Sequence, residues 1–191
     1  MLLPIANSSG ENSCKTIILY RGNIKDMQGL GLRKTFEWLR EVIDGKNIKI
    51  LYEVRGVLTE SSSGSWIPIS LFPLKPFFMS VKSSKVTGVM YEINGENTVF
   101  SIKLIKNLEE NKIKIRLTLK GFLLDSVFKN HTISWKVKFE APHVHIVMFP
   151  INKSVKVLNP KGYILKKQKK IKEVIWKRRK GYEGIVTLKI A

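Results

Sequence analysis

A chain of 191 residues with 43% hydrophobic side chains carries enough apolar surface for a real core, which excludes overall disorder despite a net charge of +19. Its lone cysteine, Cys14, excludes an internal disulfide and a thiolate metal cluster within one chain. No run of about eighteen apolar residues is present for a spanning helix, and MLLPIANSSGENSC lacks the basic region of a signal peptide, so the expected compartment is the cytoplasm.

The positive charge is unevenly spread. Residues 1–150 hold 21 Lys and Arg against 13 Asp and Glu, whereas residues 151–191 hold 13 against 2. The last segment therefore carries more than half of the excess, and a field of that sign attracts polyanions. High Ile and Lys with scarce Gln and Cys suits a thermophile, although AT-rich coding gives the same bias.

In chain order, residues 15–21 (KTIILYR) predict a first strand. Leu32, Phe36, Leu39 and Ile43 then recur at i, i+4, i+7 and i+11, the apolar stripe of a helix stopped by Gly45. Ile48, Ile50, Tyr52 and Val54 alternate with Lys49, Leu51, Glu53 and Arg55, which predicts a strand. The SSSGS run at 61–65 is loop composition, and the three prolines of WIPISLFPLKPFF argue against a central strand there.

From Val86 onward an antiparallel meander is expected. Asn94-Gly95 is a hairpin turn. In KIKIRLTL, Ile113, Ile115, Leu117 and Leu119 alternate with Lys112, Lys114, Arg116 and Thr118, giving one buried and one basic face. Ile133, Trp135, Val137 and Phe139 alternate with Ser134, Lys136, Lys138 and Glu140, and HVHIVMF follows Pro142 as a further strand. Asn159-Pro160-Lys161-Gly162 is a turn.

After that turn, Ile164, Ile171 and Ile175 recur at i, i+7 and i+11, which predicts a basic amphipathic helix over 163–180 before a closing strand at 185–190. The expected fold is one α+β domain spanning 1–191. It has an antiparallel sheet of about seven strands, a helix in the N-terminal half, and a long basic C-terminal helix packed on the sheet. This element order resembles the helix-grip arrangement of START-like domains. That resemblance implies a cavity between sheet and helix for a hydrophobic small molecule, with Phe72, Phe77, Phe78 and Met79 at its mouth.

Candidates for chemistry are sparse. Gly29-Leu30-Gly31 lacks the further glycines of a phosphate loop, Ser63-Gly64-Ser65 is no nucleophile elbow, and Glu109-Glu110 sits in a polar turn. No cofactor motif is present. The string HVHIVMFP resembles the histidine-triad signature of nucleotide hydrolases and transferases, with His145 at that family's nucleophile position and Val147 replacing its third histidine. His143 and His145 share a strand face, and His131 is the remaining histidine. These three are the metal-ligand candidates, and they make no complete set without convergence. The chain reads as a binding protein rather than an enzyme.

The basic segment is the strongest signal. Lys166, Lys167, Lys169, Lys170, Lys177, Arg178, Arg179 and Lys180 are placed to neutralise phosphates, and Trp176 or Tyr182 to stack on a base. Three alternatives accompany nucleic-acid binding: a solvated helix face, a membrane-surface helix, and a structural or assembly role. Lys112, Lys114 and Arg116 with Lys136 and Lys138 extend the basic surface if their strands are neighbours.

Overall fold

The computed structural model describes residues 18–21, 32–58, 66–83, 85–95, 97–104 and 111–190. Cys14, the glycines at 29–31, the SSSGS run and the Glu109-Glu110 turn lie outside them. The described residues form fifteen strands and no helix. In chain order these are β1 (Ile18–Arg21), β2 (Leu32–Asp44), β3 (Asn47–Leu58), β4 (Trp66–Phe72) and β5 (Leu74–Lys82). Next come β6 (Val86–Asn94), β7 (Asn97–Leu104), β8 (Lys112–Leu123), β9 (Phe128–Lys129) and β10 (Thr132–Phe139). The last are β11 (His143–Pro150), β12 (Val155–Asn159), β13 (Ile164–Lys167), β14 (Ile171–Arg178) and β15 (Tyr182–Ile190).

They make three sheets: a seven-stranded one in the order β13-β14-β11-β2-β3-β8-β5, and two four-stranded ones, β1-β6-β7-β4 and β12-β15-β10-β9. All pairs are antiparallel except β1 with β6 and β11 with β2. One contiguous core joins residues of all three sheets, including Ile50, Tyr52, Phe72, Phe100, Ile115, Trp135 and Leu188.

The strands with clean alternation appear where the sequence puts them. In β8, Ile113, Ile115, Leu117 and Leu119 are buried while Lys112, Lys114, Arg116 and Lys120 are exposed. The Asn94-Gly95 turn closes the β6–β7 hairpin, with Gly95 at φ +59°. The proline-rich segment forms two strands, both at sheet edges and both bulged beside a proline, between Pro68 and Ser70 and between Pro76 and Phe78. An edge is where a residue lacking an N–H does least harm.

Two expected helices are strands, so the α+β assignment and the helix-grip resemblance both fall. The first is β2. Its buried residues from Glu37 onward are Glu37, Leu39, Glu41 and Ile43, a period of two. Two of these four are carboxylates, and the opposite face carries Phe36, Trp38 and Val42. Polar residues facing inward and apolar residues facing outward erase the strand signature and leave the spurious spacing of Leu32, Phe36, Leu39 and Ile43.

The second is the basic segment, which is the β13–β14 hairpin. Gln168–Lys170 form its tip, where the Gln168 N–H donates to the Ile171 carbonyl at 2.9 Å. As a helix this sequence would stack lysines at i,i+3 and i,i+4. As a hairpin it sets Lys166 across from Glu173 and buries Val174 and Trp176 on β14. The β-branched residues Ile171, Val174 and Ile175 favour that outcome.

Glu37 holds the sheets together. Its carboxylate is fully buried in β2, where a bulge between Lys34 and Phe36 brings Lys34 and Glu37 to the same face. The Tyr52 hydroxyl donates to Glu37 Oε2 at 2.5 Å and lies 3.2 Å from the Ile69 carbonyl of β4. The Lys34 ammonium donates to that carbonyl at 2.7 Å and sits 3.3 Å from Glu37 Oε2. From the loop between β10 and β11, the backbone N–H groups of Glu140 and Ala141 donate to Glu37 Oε1 at 2.6 and 3.2 Å. Burial, reinforced by the Glu37 charge and hydrogen bond, pushes the Tyr52 phenol well above its usual range, so it remains a neutral donor.

Removing one partner of such a network leaves an uncompensated buried charge. Glu37→Gln leaves the buried Lys34 ammonium with only the half-exposed Glu140 carboxylate, 3.4 Å away, and is expected to cost about 3 kcal/mol of unfolding free energy. Tyr52→Phe should cost about 1–3 kcal/mol. Urea denaturation at neutral pH measures both.

Candidate nucleic-acid interface

The two alternating histidines point into the sandwich. His143 stacks face to face on Phe139, centroids 3.9 Å apart, and its Nδ1 lies 3.1 Å from the Ala141 carbonyl. His145 Nε2 lies 2.6 Å from Glu41 Oε2, and its ring stacks on Trp176 at 5.1 Å. Burial first of all lowers the His143 pKa, so a neutral imidazole is the resident form. Both occupy β11, an inner strand between β14 and β2, rather than an edge.

His131 does not join them. It precedes β10 and His143 follows that strand, which separates them by roughly 25 Å at about 3.3 Å per residue. No three His, Cys, Asp or Glu side chains among the described residues come together to hold a metal.

The expected basic grip is redistributed. Lys166, Lys167, Lys169 and Lys170 are exposed on β13 and the hairpin tip, whereas Arg179 and Lys180 are exposed in the loop after β14. The two groups sit at opposite ends of an eight-residue strand, roughly 25 Å apart. Trp176 is 2% exposed, with its indole N–H donated to the Pro160 carbonyl at 3.1 Å, so its faces offer no base a platform. Tyr182 is half-buried under the Arg178 guanidinium, 4.4 Å from its ring centroid. Lys136 and Lys138 lie on β10 in a different sheet from Lys112, Lys114 and Arg116, so that adjacency does not occur.

What the topology assembles instead is the outer face of the seven-stranded sheet. Cross-strand partners share a face, and the pairing sets Lys49 opposite Lys120, Glu53 opposite Arg116, and Arg55 opposite Lys114. Beyond β8, Lys82 lies opposite Arg116 and Phe78 opposite Lys120. Toward the other edge, the same rows continue through Trp38 and Val42 of β2 to Val144 and Met148 of β11, then to Lys177 and Glu173 of β14. Lys49, Arg55, Lys82, Lys112, Lys114, Arg116 and Lys120 are all exposed; Glu53 is the one carboxylate that β3, β5 and β8 place on this face, and Asp44 at the end of β2 adds a second in the row of Asn47 and Phe122.

Aromatic rings are interleaved with these cations. Phe77 and Phe122 are 44% and 50% exposed, and their rings meet at 5.2 Å. Lys120 lies over Phe78 at 5.1 Å, Arg55 over Phe36 at 5.7 Å, and Arg40 over Trp38 at 4.9 Å. The alternation of β8 gave Lys112, Lys114 and Arg116 from the sequence. Lys49 and Arg55 carry the same signal on β3, and only the pairing of β3 with β8 unites them.

Glu53 organises the patch. Its carboxylate accepts from Arg116 Nε at 2.6 Å and Arg55 at 2.8 Å, with Lys114 at 3.4 Å. Burial pushes its pKa upward, but the three cations outweigh that and hold it at about 2.

No family profile and no curated protein matches the chain. Parts of larger solved structures superpose on most of it. The M1 zinc metallopeptidase from Deinococcus radiodurans superposes with a TM-score of 0.51 at 10% identity, over 85% of this chain and 43% of the peptidase. Yeast LTA4 hydrolase in complex with bestatin gives 0.48 at 9% identity, over 83% of this chain and 28% of the hydrolase. The chain thus spans less than half the length of these structures, and identity this low shows the fold alone.

Because the folded Glu53 pKa lies below the ordinary value of about 4.3, its stabilisation is present above that pH and is lost as pH falls toward 2. Glu53→Gln should therefore cost about 1 kcal/mol at pH 7, small because its cationic partners are half exposed and screened. The difference from the parent protein should vanish near pH 2, as read from urea midpoints across that range.

Proposed function

We infer that the protein binds nucleic acid without catalysis, chiefly through phosphate contacts made by the outer face of the seven-stranded sheet. The observation that carries this reading is the row-by-row alignment of Lys49, Arg55, Lys112, Lys114, Arg116 and Lys120 on two neighbouring strands. Each ammonium or guanidinium that meets a phosphate releases a condensed counterion, which drives binding entropically. The sheet beneath is rigid, so little ordering cost is added on binding.

The exposed pair Phe77 and Phe122 beside Lys120 supports a preference for single strands, whose unstacked bases can lie on aromatic rings. The hairpin lysines Lys166, Lys167, Lys169 and Lys170 extend the positive field at the sheet's other edge and add long-range attraction. Sequence readout is small in such an arrangement, because phosphate contacts position the polymer and carry no base information.

Fluorescence anisotropy with labelled single- and double-stranded DNA and RNA over a salt series tests this reading. Log affinity should fall linearly with log salt. Lys49→Ala, Lys112→Ala, Lys114→Ala and Lys120→Ala combined should reduce the slope by about 0.7–0.9 for each phosphate no longer neutralised. Phe77→Ala with Phe122→Ala should weaken single-strand binding by about 1–3 kcal/mol per stacked base and leave duplex binding nearly unchanged. Salt-independent binding, or unaltered affinity in the four-lysine variant, would sink the proposal.

A further inference from the structure

One end of the sandwich holds a cavity of about 310 Å³ between the seven-stranded sheet and the β9–β10–β15 side. Ile43 and Phe149 of the larger sheet and Phe128 and Ile190 of the smaller one supply its apolar lining. His131, Lys153 and Lys189 complete it, and no carboxylate among the described residues lines it. Lys153 and Lys189 are exposed, with no carboxylate partner among the described residues.

The turn that carries His131 is unusual for this chain. Lys129 pairs with Thr132, so Asn130 and His131 are the two central residues of a tight hairpin, at φ +47° and +61°. Two left-handed residues suit the strand twist in such a turn. Glycine is free in that region, and asparagine and histidine are among the few other side chains that enter it. Elsewhere among the described residues the chain meets positive φ with glycine, at Gly45, Gly95 and Gly162. Here an imidazole stands in the left-handed position, at the edge of the cavity.

We propose that this cavity binds a small amphiphilic carboxylate. The apolar chain lies against Phe149, Ile43 and Phe128, and the carboxylate meets Lys153, Lys189 and His131. An apolar floor holds a hydrocarbon chain and gives a polar ligand no partners. The basic rim attracts an anion and repels an amine. At about 30 Å³ per water the space equals roughly ten waters, which suits a chain of about eight carbons. This site is independent of the nucleic-acid face, since none of its lining residues belongs to that face.

Isothermal titration calorimetry of the full chain should show saturable one-to-one binding of octanoate, with 1-octanol about tenfold weaker for want of the charged contact. Lys153→Glu with Lys189→Glu, both at exposed positions, should remove the preference for octanoate over octanol. Ile190→Trp should fill the cavity and abolish binding of both. His131→Gly should raise the melting temperature while weakening octanoate, a combination that a purely structural turn residue would not give. Equal affinity for octanol and octanoate overturns the proposal, as does octanoate binding indifferent to the charge reversals or no saturation at millimolar octanoate. If Ile190→Trp fails to fold, the charge reversals and the octanol comparison still decide.

Discussion

A carboxylate taken fully out of water must be met by donors, and Glu37 draws them from its own sheet and from the loop between β10 and β11. Tyr52 and Lys34 come from its own sheet, and the backbone N–H groups of Glu140 and Ala141 come from the chain leaving β10. The Ile69 carbonyl of β4 ties the same lysine and tyrosine to the remaining sheet. Such a group adds little net stability compared with an apolar core, but breaking it is costly. Its effect is therefore to exclude alternatives. A one-residue slip of β2 would carry Glu37 to the solvent face and Phe36 or Trp38 into the core, leaving the backbone N–H groups of Glu140 and Ala141 unmet. Fixing the inner face of β2 also fixes its outer one, and so places Trp38 and Arg40 in the rows that continue onto β3 and β8.

The same carboxylate explains why part of the fold was hidden in the sequence. Strands β3, β8, β10 and β15 show in the residue pattern because their inner positions are apolar and their outer positions largely polar. In β2 the inner positions include Glu37 and Glu41, so pattern reading sees polarity where the structure has core. Buried acids betray themselves only through partners, and some of those lie far away in the chain, Ala141 for Glu37 and His145 for Glu41. The basic segment misled for a different reason. Ile164, Ile171 and Ile175 satisfy helical spacing, yet Ile164 and Ile175 are direct partners across a hairpin. Spacing along the chain cannot distinguish neighbours on one helix from partners on two strands when the turn between them is short and made of lysines that resemble a helix surface.

The histidines show the complementary case. The alternation of His143 and His145 did reveal that they share a face. Whether that face meets solvent or core depends on the strands at either side. With β2 and β14 flanking it, β11 is an inner strand, and both imidazoles are spent on packing and on the buried Glu41. The candidate interface was legible only in part for the same reason. Composition located the excess charge in the last 41 residues, but sheet pairing decides which cations share a surface, and it favours the middle of the chain. Arg178 and Tyr182 consume each other, and Trp176 belongs to the core.

Concentrating cations on one sheet face has an electrostatic cost that the fold must carry. Neighbouring strands are about 4.8 Å apart, so Lys49 beside Lys120 and Arg55 beside Lys114 repel across a distance shorter than the Debye length. Glu53 relieves part of this for Arg55, Lys114 and Arg116, and its carboxylate stays ionised to about pH 2 as a result. Lys49 and Lys120 have no such anion opposite them, and Lys120 turns instead over the Phe78 ring. The inner face offsets the remaining repulsion, since the residues directly beneath, Ile48, Ile50, Leu117 and Leu119, are almost completely buried. Apolar burial needs no counterion, so the core can hold the cations in place in the absence of any anion. The sheet thereby presents a charged surface already in position, and the work of ordering it is done by folding rather than by binding.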